Sequence, residues 1–333
     1  MFNLEKLCID AKKASEDINK ISESKINEAL ALCSKYLLKA SAVLQSENKK
    51  DIDNAEKKGL SAAFIDRLKL TDKVIADMAC GIEKVAQLDT PVGKVIYSYF
   101  NKEQDIKIEK KNVPFGVIGI IFESRPNVTA DAFALCFKTH NAVILKGGSD
   151  AINSNRAIVS VLQKALNECG INKNAVSLID DTSRETTEKF MKMNGFVDLL
   201  IPRGGAKLIK TAVENSTIPI IETGTGNCHA YVDKCADVDM AAKIIFNAKT
   251  QRYSVCNALE SIVVHSEIAA KALPEIADKL SCKGIEMRLD DRAYRILKDY
   301  ANTSHATEED FYTEYGAPII SVKTVDSLVE AVE

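Results

Sequence analysis

One of the nine cysteines in the chain, Cys256, differs from the others in its sequence context. Cys33 and Cys136 lie in apolar stripes that are typical of a core, whereas Cys256 lies in the polar stretch KTQRYSVCNALE. Lys249 and Arg252 precede it, and nearby positive charges favour the thiolate, which is the nucleophilic form of cysteine. The context therefore indicates a nucleophile, although a structural cysteine is the more frequent interpretation when only the loop context is known.

A second candidate is Asn127, in the segment ESRPNVTADAFALC that follows a short apolar run. Pro126 favours an irregular turn at this point. An amide held in such a turn can donate a hydrogen bond to a developing oxyanion. Taken in isolation, the residue pattern favours a simpler role for Asn127, that of a helix cap.

Two further turns combine paired glycines with a basic residue, in LKGGSD and IPRGGAKLI. Glycines let the backbone approach a ligand closely, and the following helix N-terminus attracts phosphate. Ser149 or Asp150 is expected to cap the helix after the first turn. Neither turn matches the common dinucleotide or P-loop motifs, and an ordinary strand-to-helix turn is the alternative. The candidate cofactor contacts are Lys146, Gly147, Gly148, Ser149, Pro202, Arg203, Gly204 and Gly205.

The elements that would position these residues change in character along the chain. Residues 1–90 have helical periodicity, with ENKKDIDNAEKKG predicted as a solvated connector that ends at Gly59. Ser22 or Ser24 is expected to cap the second helix. The segments VIYSYF (95–100) and DIKIEK (105–110) predict a β-hairpin, and a second subunit is the expected cover for one of its faces.

From Val113 onward, short apolar strands alternate with amphipathic helices. This pattern predicts a doubly wound α/β fold, in which helices cover both faces of a parallel sheet and ligands bind at the carboxyl ends of the strands. A second α/β unit is predicted after about residue 225, with DMAAKIIFNAKTQ as helix and ALESIVVH and PIISVK as strands. The strands of the first unit are predicted at 117–122, 142–146, 175–180, 197–202 and 217–222, and its helices at 129–139, 150–168, 184–193 and 205–215.

Composition excludes several classes of function. A net charge of −3 argues against nucleic acid or an anionic membrane as the partner. An odd number of cysteines without a CxxC pair argues against a disulfide scaffold or a zinc module, and favours a reducing compartment. The four histidines lack metal-ligand spacing, so no metal site is predicted. The apolar runs are too short to span a bilayer, and a cytoplasmic location is expected.

Three blocks resemble the γ-glutamyl phosphate reductases (glutamate-5-semialdehyde dehydrogenases), a branch of the aldehyde dehydrogenase superfamily. They are GVIGIIFESRPNVTADAFALCFKTHNAVILKGGSDAINSN, DLLIPRGGAKLI and GNCHAYVDKCADVDMAAKIIFNAKTQRYSVCNALE. The resemblance implies an aldehyde-dehydrogenase-like α/β fold with three parts. These are a doubly wound nicotinamide cofactor-binding domain (1–94 and 113–224), an oligomerisation hairpin (95–112) and an α/β catalytic domain (225–333).

The resemblance also implies roles for single residues. Cys256 is the expected nucleophile, and Asn127 takes the place of the oxyanion-hole asparagine. Lys146 matches a lysine that contacts the adenosine ribose, and Pro202–Gly205 matches a turn that lies against the pyrophosphate and nicotinamide end. Apart from the resemblance, Arg125 and Arg252 are candidates for substrate binding, because a guanidinium group binds a carboxylate or a phosphate in a fork. Asn257, beside Cys256, is a third candidate. Ser149 stands where an acid would repel a 2′-phosphate, which predicts NADPH as the cofactor over NADH.

The implied reaction is the NADPH-dependent reduction of L-glutamyl 5-phosphate to L-glutamate 5-semialdehyde and phosphate, in L-proline biosynthesis. It proceeds through a cysteine thioester, and phosphate leaves without a general acid. The expected partners are this small substrate, further copies of the chain in a homo-oligomer, and glutamate 5-kinase upstream in the pathway.

Two departures from the family pattern leave alternatives open. Glu222 lies 34 residues before Cys256 (256 − 222), the spacing of the base that hydrolyses the thioester in related aldehyde-oxidising enzymes. We expect Glu222 to be structural, but a hydrolytic aldehyde dehydrogenase is one alternative. The family also continues beyond LVEAVE with a histidine-containing segment, so the C-terminal part of the catalytic domain is expected to be missing. A catalytically inactive nucleotide-binding protein is therefore the other alternative.

Overall fold

A computed structural model describes residues 2–222, 224 and 226–333 of the chain. The chain divides into two compact units, Met1–Thr223 and Gly224–Glu333, each with its own buried core. The predicted boundary between residues 224 and 225 adjoins Thr225, which lies outside the described residues. Each unit is built around a parallel sheet, and the first unit also carries the hairpin.

Helices occupy the N-terminal part of the first unit, as the periodicity predicted. Ser22 caps the second helix by accepting a hydrogen bond from the backbone N–H of Lys25 at 3.3 Å. The buried residues of this helix recur at helical spacing and include Ile26, Leu30, Cys33 and Leu37. The five helices are α1 (Leu4–Ile18), α2 (Glu23–Lys39), α3 (Ser41–Lys57), α4 (Ala62–Leu68) and α5 (Asp72–Gln87).

The prediction of a solvated connector ending at Gly59 is wrong, because most of that segment belongs to α3. Two of its polar residues, Asn48 and Asp51, are each 2% exposed. The side-chain amide of Asn48 donates to the carbonyl of Leu68 at 2.7 Å and to the Ser154 hydroxyl at 3.0 Å. The charged segment therefore contains buried polar residues whose hydrogen-bond partners belong to other segments of the chain.

The hairpin lies where the alternating pattern predicted it. Strands β1 (Val95–Asn101) and β2 (Ile106–Lys111) pair antiparallel and form a two-stranded sheet of their own. Most of its side chains are exposed, including Tyr97, Tyr99 and Ile108.

The sheet of the first unit has four parallel strands in the order β5-β4-β3-β6. Strand β3 comes first in sequence and lies between β4 and β6, so the strand order reverses beside it. This reversal is a topological switch point, where α/β sheets bind ligands. The strands are β3 (Val117–Phe122), β4 (Ala142–Lys146), β5 (Val176–Leu178) and β6 (Leu199–Arg203), and the helices are α6 (Asn127–Lys138), α7 (Ile152–Glu168), α8 (Arg184–Phe190) and α9 (Ala206–Asn215).

The strand predicted at 217–222 does not form. Only an isolated bridge joins Ile220 to Leu200. The N–H of Leu200 donates to the carbonyl of Pro219 at 2.8 Å, and the N–H of Ile221 donates to the carbonyl of Leu200 at 3.0 Å. Pro219 has no N–H to continue a ladder, which explains why the apolar run TIPIIE does not extend the sheet.

The second unit contains a five-stranded parallel sheet in the order β10-β9-β11-β8-β7. The helix and the two strands predicted there are confirmed, with small shifts at their ends. In the described residues no helix combines the length and the apolar character needed to cross a membrane. The strands are β7 (Cys228–Val232), β8 (Leu259–His265), β9 (Glu286–Leu289), β10 (Thr303–His305) and β11 (Ile319–Val325), and the helices are α10 (Val238–Thr250), α11 (Ser266–Ser281), α12 (Asp291–Leu297) and α13 (Leu328–Val332).

Candidate cofactor and catalytic sites

Three of the predicted turns meet at the carboxyl edge of the first sheet. In the strand register Ile121 of β3 pairs with Lys146, and Phe122 of β3 pairs with Arg203. The three strands therefore end at the same level, with the turn after β3 between the turns after β4 and β6. This edge is the switch point, so topology and the sequence motifs indicate the same candidate cofactor site.

The turn after β4 is tightly packed. Lys146 is 4% exposed, and its ammonium group donates to the carbonyl of Gly147 at 3.3 Å. Burial lowers the pKa of Lys146, while the carboxylate of Asp181 acts in the opposite direction. A Cβ on Gly147 would lie 2.3 Å from Nδ2 of the buried Asn155, so only glycine fits at this position. The glycine at this position thus allows close packing against Asn155, and the approach of a ligand to the turn stays a prediction.

The expectation that Ser149 or Asp150 caps the following helix is wrong. Both lie in a short 3-10 turn before α7, and neither side chain caps it. Instead, the carboxylate of Asp51 accepts from the backbone N–H groups of Asn153 at 3.2 Å and Ser154 at 2.8 Å. A carboxylate from α3 thus supplies the negative charge that a helix N-terminus attracts.

The turn after β6 approaches the turn after β3. Arg203 is the last residue of β6 and is exposed, and two glycines then lead into α9. The carboxylate of Glu123 accepts from the N–H of Gly205 at 3.2 Å. A Cβ on Gly204 would lie 2.8 Å from Cδ of Glu123, so a side chain there would displace Glu123. Glu123 was not singled out from the sequence, although a carboxylate directly after a buried central strand is a readable signal.

Asn127 is the first residue of α6 and does not cap it. The N-cap is Pro126, without a side-chain hydrogen bond. The Asn127 amide donates to Asp131 at 3.3 Å, within the same helix. Arg125 precedes them in the half-buried turn, and its backbone N–H donates to the carbonyl of Glu123 at 2.8 Å.

In the second unit, Cys256 lies in the loop of residues 251–258 between α10 and β8. Cys256, Asn257 and Arg252 are all exposed. The thiol of Cys228 donates to the carbonyl of Cys256 at 3.5 Å. A Cβ on Gly226 would lie 2.4 Å from that carbonyl oxygen and 2.8 Å from Cβ of Cys256, so the loop packs directly on Gly226. Sequence reasoning missed Gly226 and Cys228, because their partner is 28 or more residues away (256 − 228).

Lys249 does not play the role expected from its proximity in sequence. It is fully buried, and its ammonium group lies 2.5 Å from the carboxylate of Glu260. Because this carboxylate balances the charge, the expectation that Lys249 favours the Cys256 thiolate is not supported.

Two further polar side chains of the candidate segments, those of Glu222 and His229, lie on the surface. Glu222 is exposed and follows the isolated bridge. His229 is exposed, and its Nδ1 donates to the carbonyl of Asn227 at 2.8 Å. Over residues 2–222, 224 and 226–333, no group of three or more His, Cys, Asp or Glu side chains could hold a metal ion.

Comparisons with known proteins identify relatives of this chain. The sequence model of the aldehyde dehydrogenase family matches residues 5–293. A gamma-glutamyl phosphate reductase from Agathobacter rectalis is 51% identical over 333 residues, which cover 100% of this chain and 79% of the relative. One from Caldicellulosiruptor saccharolyticus is 50% identical over 97% of this chain and 77% of its own length.

Solved structures lead to the same family. The crystal structure of gamma-glutamyl phosphate reductase from Thermotoga maritima has a TM-score of 0.91 and 38% identity, and the match covers 98% of this chain and 78% of that one. An acetylating aldehyde dehydrogenase from Geobacillus thermoglucosidasius, at 16% identity and a TM-score of 0.66, shares the fold. The predicted α/β fold is thereby confirmed, and the chain belongs to the aldehyde dehydrogenase family, in its gamma-glutamyl phosphate reductase branch.

Proposed function

We propose that this chain reduces L-glutamyl 5-phosphate to L-glutamate 5-semialdehyde and phosphate with NADPH, in L-proline biosynthesis. The observation that carries the proposal is about 50% identity to gamma-glutamyl phosphate reductases over nearly the whole chain. Among the described residues, the exposed Cys256 supplies a nucleophile in the matching motif.

The proposed reaction needs a nucleophile, a hydrogen-bond donor to the oxyanion and groups that bind the substrate. The thiolate of Cys256 attacks the acyl carbon, a C–S bond forms, and the C–O bond to phosphate breaks. Asn127 donates a hydrogen bond to the oxyanion, a role taken from its place in the family motif. Arg125, Arg252 and Asn257 bind the substrate, with the guanidinium groups on its carboxylate or phosphate. Phosphate is a good leaving group, so no general acid is needed, and Glu222 takes no part in the chemistry.

The residues at the switch point fit a nicotinamide nucleotide, the cofactor class to which the family points. Gly147 and Gly204 stand where a Cβ would collide with neighbouring side chains, so backbone lines both turns. The cofactor, when bound, supplies the hydride that reduces the thioester. Lys146, Gly147, Gly148 and Ser149 would hold its adenosine end, and Pro202, Arg203, Gly204 and Gly205 its pyrophosphate and nicotinamide end.

Ser149 supports the choice of NADPH over NADH. It is exposed directly after the glycine pair, and it places no carboxylate near a 2′-phosphate. Lys146 ends the preceding strand and adds positive charge to this turn. The ratio of kcat/KM for the two cofactors tests the assignment, and a preference for NADH would overturn it.

The domain roles and the partners are part of the same proposal. The first unit, without the hairpin, binds the cofactor, and residues 225–333 form the catalytic domain. The exposed hairpin joins copies of the chain in a homo-oligomer. Glutamate 5-kinase supplies the acyl phosphate upstream. The nine free cysteines support a cytoplasmic location.

The decisive experiment runs the reaction backward. NADP⁺ reduction by glutamate semialdehyde should require inorganic phosphate and should vanish in Cys256→Ala. Cys282→Ala, another exposed cysteine of the second unit, is the matched control and should keep parental activity. Turnover without phosphate would favour the hydrolytic aldehyde dehydrogenase, with Glu222→Gln as the next variant. Cofactor binding without turnover would favour the inactive nucleotide-binding protein.

A further inference from the structure

We propose that the buried Lys249–Glu260 ion pair, together with Glu314, holds the Cys256 loop in the position from which the thiol reacts. These are positioning residues for the function proposed above. The inference rests on the role of Cys256 in that function, and its test does not require turnover.

The ion pair closes the base of the catalytic loop. Lys249 lies in the last turn of α10 and Glu260 is the second residue of β8, so the two flank the loop of residues 251–258. Both side chains are 0% exposed, and Nζ of Lys249 lies 2.5 Å from Oε2 of Glu260. The start and the end of the loop are thereby joined by a direct, charged hydrogen bond.

The second oxygen of Glu260 continues this connection to the other side of Cys256. Oε1 accepts from the N–H of Gly316 at 3.1 Å. Two residues earlier, the carboxylate of Glu314 accepts from the N–H of Gly226 at 2.8 Å. Gly226 is the residue on which Cys256 packs. One brace, made of Lys249, Glu260 and Glu314, therefore fixes both the loop and the surface against which it rests.

Stability alone does not account for this pair. Removing two charges from water is costly, and well-packed apolar residues often replace a buried ion pair with equal or greater stability. What an apolar pair cannot supply is the directed hydrogen bond to Gly316 and the fixed distance between α10 and β8. We therefore assign to the pair a geometric role.

The test separates position from stability. In the double variant Lys249→Met/Glu260→Leu, the denaturant midpoint should stay at or above the parental one, while the alkylation rate of Cys256 falls at least tenfold relative to that of Cys282. The control is Arg292→Met/Asp326→Leu, which removes an exposed ion pair from another part of the second unit and should leave both rates unchanged. A parental Cys256 rate in a folded Lys249/Glu260 double variant would overturn the proposal.

Glu314→Ala provides a variant with little risk to folding, because this side chain is exposed. It should slow the alkylation of Cys256 several-fold, whereas Glu309→Ala, at an exposed position nearby, should not. An unchanged rate in Glu314→Ala would contradict the brace even if the double variant failed to fold. Alkylation needs neither substrate nor cofactor, so loss of the proposed reductase activity and loss of the brace give different results.

Discussion

Cys256 lies against Gly226 and Cys228 of the same unit. Its carbonyl accepts from the Cys228 thiol, and Gly226 leaves no room for a side chain against it. The charged residue next to the loop, Lys249, points to Glu260 and is fully buried. A side chain at position 226 would therefore displace Cys256 or the backbone beside it.

Gly226→Ala should lower the kcat of the proposed reaction by roughly 10- to 100-fold, because a shift of about 1 Å in a reacting group has an effect of this size. The added Cβ would meet the carbonyl oxygen of Cys256 at 2.4 Å. Gly224→Ala is the control, since a Cβ there meets nothing within 4 Å. Equal activity of the two variants would show that the packing against Gly226 is unimportant.

Ser149→Glu should shift the cofactor preference toward NADH. A carboxylate at this exposed position would repel a 2′-phosphate, and kcat/KM with NADPH should fall roughly tenfold, which corresponds to about 1.4 kcal/mol. Steady-state kinetics with both cofactors provide the measurement, with Ser149→Ala as the control. An unaltered preference in the glutamate variant would mean that residue 149 does not face the ribose.

Among the elements, α3 illustrates how a charged sequence can support the core. Asp51 reaches from α3 to the first turn of α7, where it also accepts from the hydroxyl of Ser154 at 2.6 Å. These hydrogen bonds from Asp51 fix the first turn of α7, the helix that follows the glycine turn after Lys146. Helix α3 has the charged composition of a solvent-exposed segment, but through Asp51 it supports the candidate cofactor site.

Asp51→Asn should destabilise the first unit by about 2–3 kcal/mol, since it removes a charged acceptor of buried hydrogen bonds. Asp53→Asn, two residues along the same helix and exposed, should change the stability by less than about 0.5 kcal/mol. Urea unfolding of both variants, followed by circular dichroism, checks this. Comparable midpoints would contradict the capping role of Asp51.

In the second unit, Asp310 ties the segment before β11 to β9. It accepts from Arg288 at 2.6 Å, from the hydroxyl of Tyr315 at 2.8 Å, and from the backbone N–H of Thr307 at 2.7 Å. Burial by itself would raise the pKa of Asp310, but these hydrogen bonds outweigh it and lower the pKa far below the ordinary carboxyl value.

The depressed pKa of Asp310 fixes the sign of a pH effect. Its contribution to stability is present above the unfolded-state carboxyl pKa of about 4 and is lost as the pH falls toward the folded-state pKa. Asp310→Asn should therefore be less stable than the parent by about 2–4 kcal/mol at pH 7, with a smaller difference at pH 3. Urea unfolding midpoints of the parent and the variant at both pH values test this prediction. Glu308→Gln, at an exposed position, is the control. A difference that grows on acidification would refute the assignment.

At the scale of the whole molecule, the hairpin of β1 and β2 stands out because its apolar side chains are exposed and belong to neither buried core. Tyr99 and Ile108 pair across its strands and are 50% and 52% exposed. Apolar side chains on a two-stranded sheet are usually covered, because such a sheet has marginal stability alone. The hairpin is therefore the surface at which we expect further copies of the chain.

Tyr99→Lys/Ile108→Glu should lower the mass in solution, measured by light scattering after gel filtration, because charges oppose burial in an interface. Lys102→Glu in the hairpin turn is the control and should keep the parental mass. Oligomers of unchanged mass in the double variant would place the interface elsewhere.

Local patterns in the sequence predicted the hairpin and most strands and helices of the α/β part of the first unit, but only one helix and two strands of the second unit. The strands at 117–122 and 142–146 form as predicted, because buried parallel strands consist of continuous apolar runs. The strand at 217–222 failed at Pro219, whose missing N–H stops a ladder. The connector of charged residues failed because its buried face depends on partners more than 100 residues away, as for Asp51 and Ser154 (154 − 51 = 103).

The sequence by itself determined the family, the α/β layout and the candidate residues, since residue type and short-range spacing carry that information. The tertiary structure alone decided the strand order that brings three turns to one sheet edge. It also decided which carboxylates reach Gly205 and α7, and that Lys249 is paired with Glu260. The physical reason is that hydrogen bonds and ion pairs act over about 3 Å in space, whatever the separation along the chain.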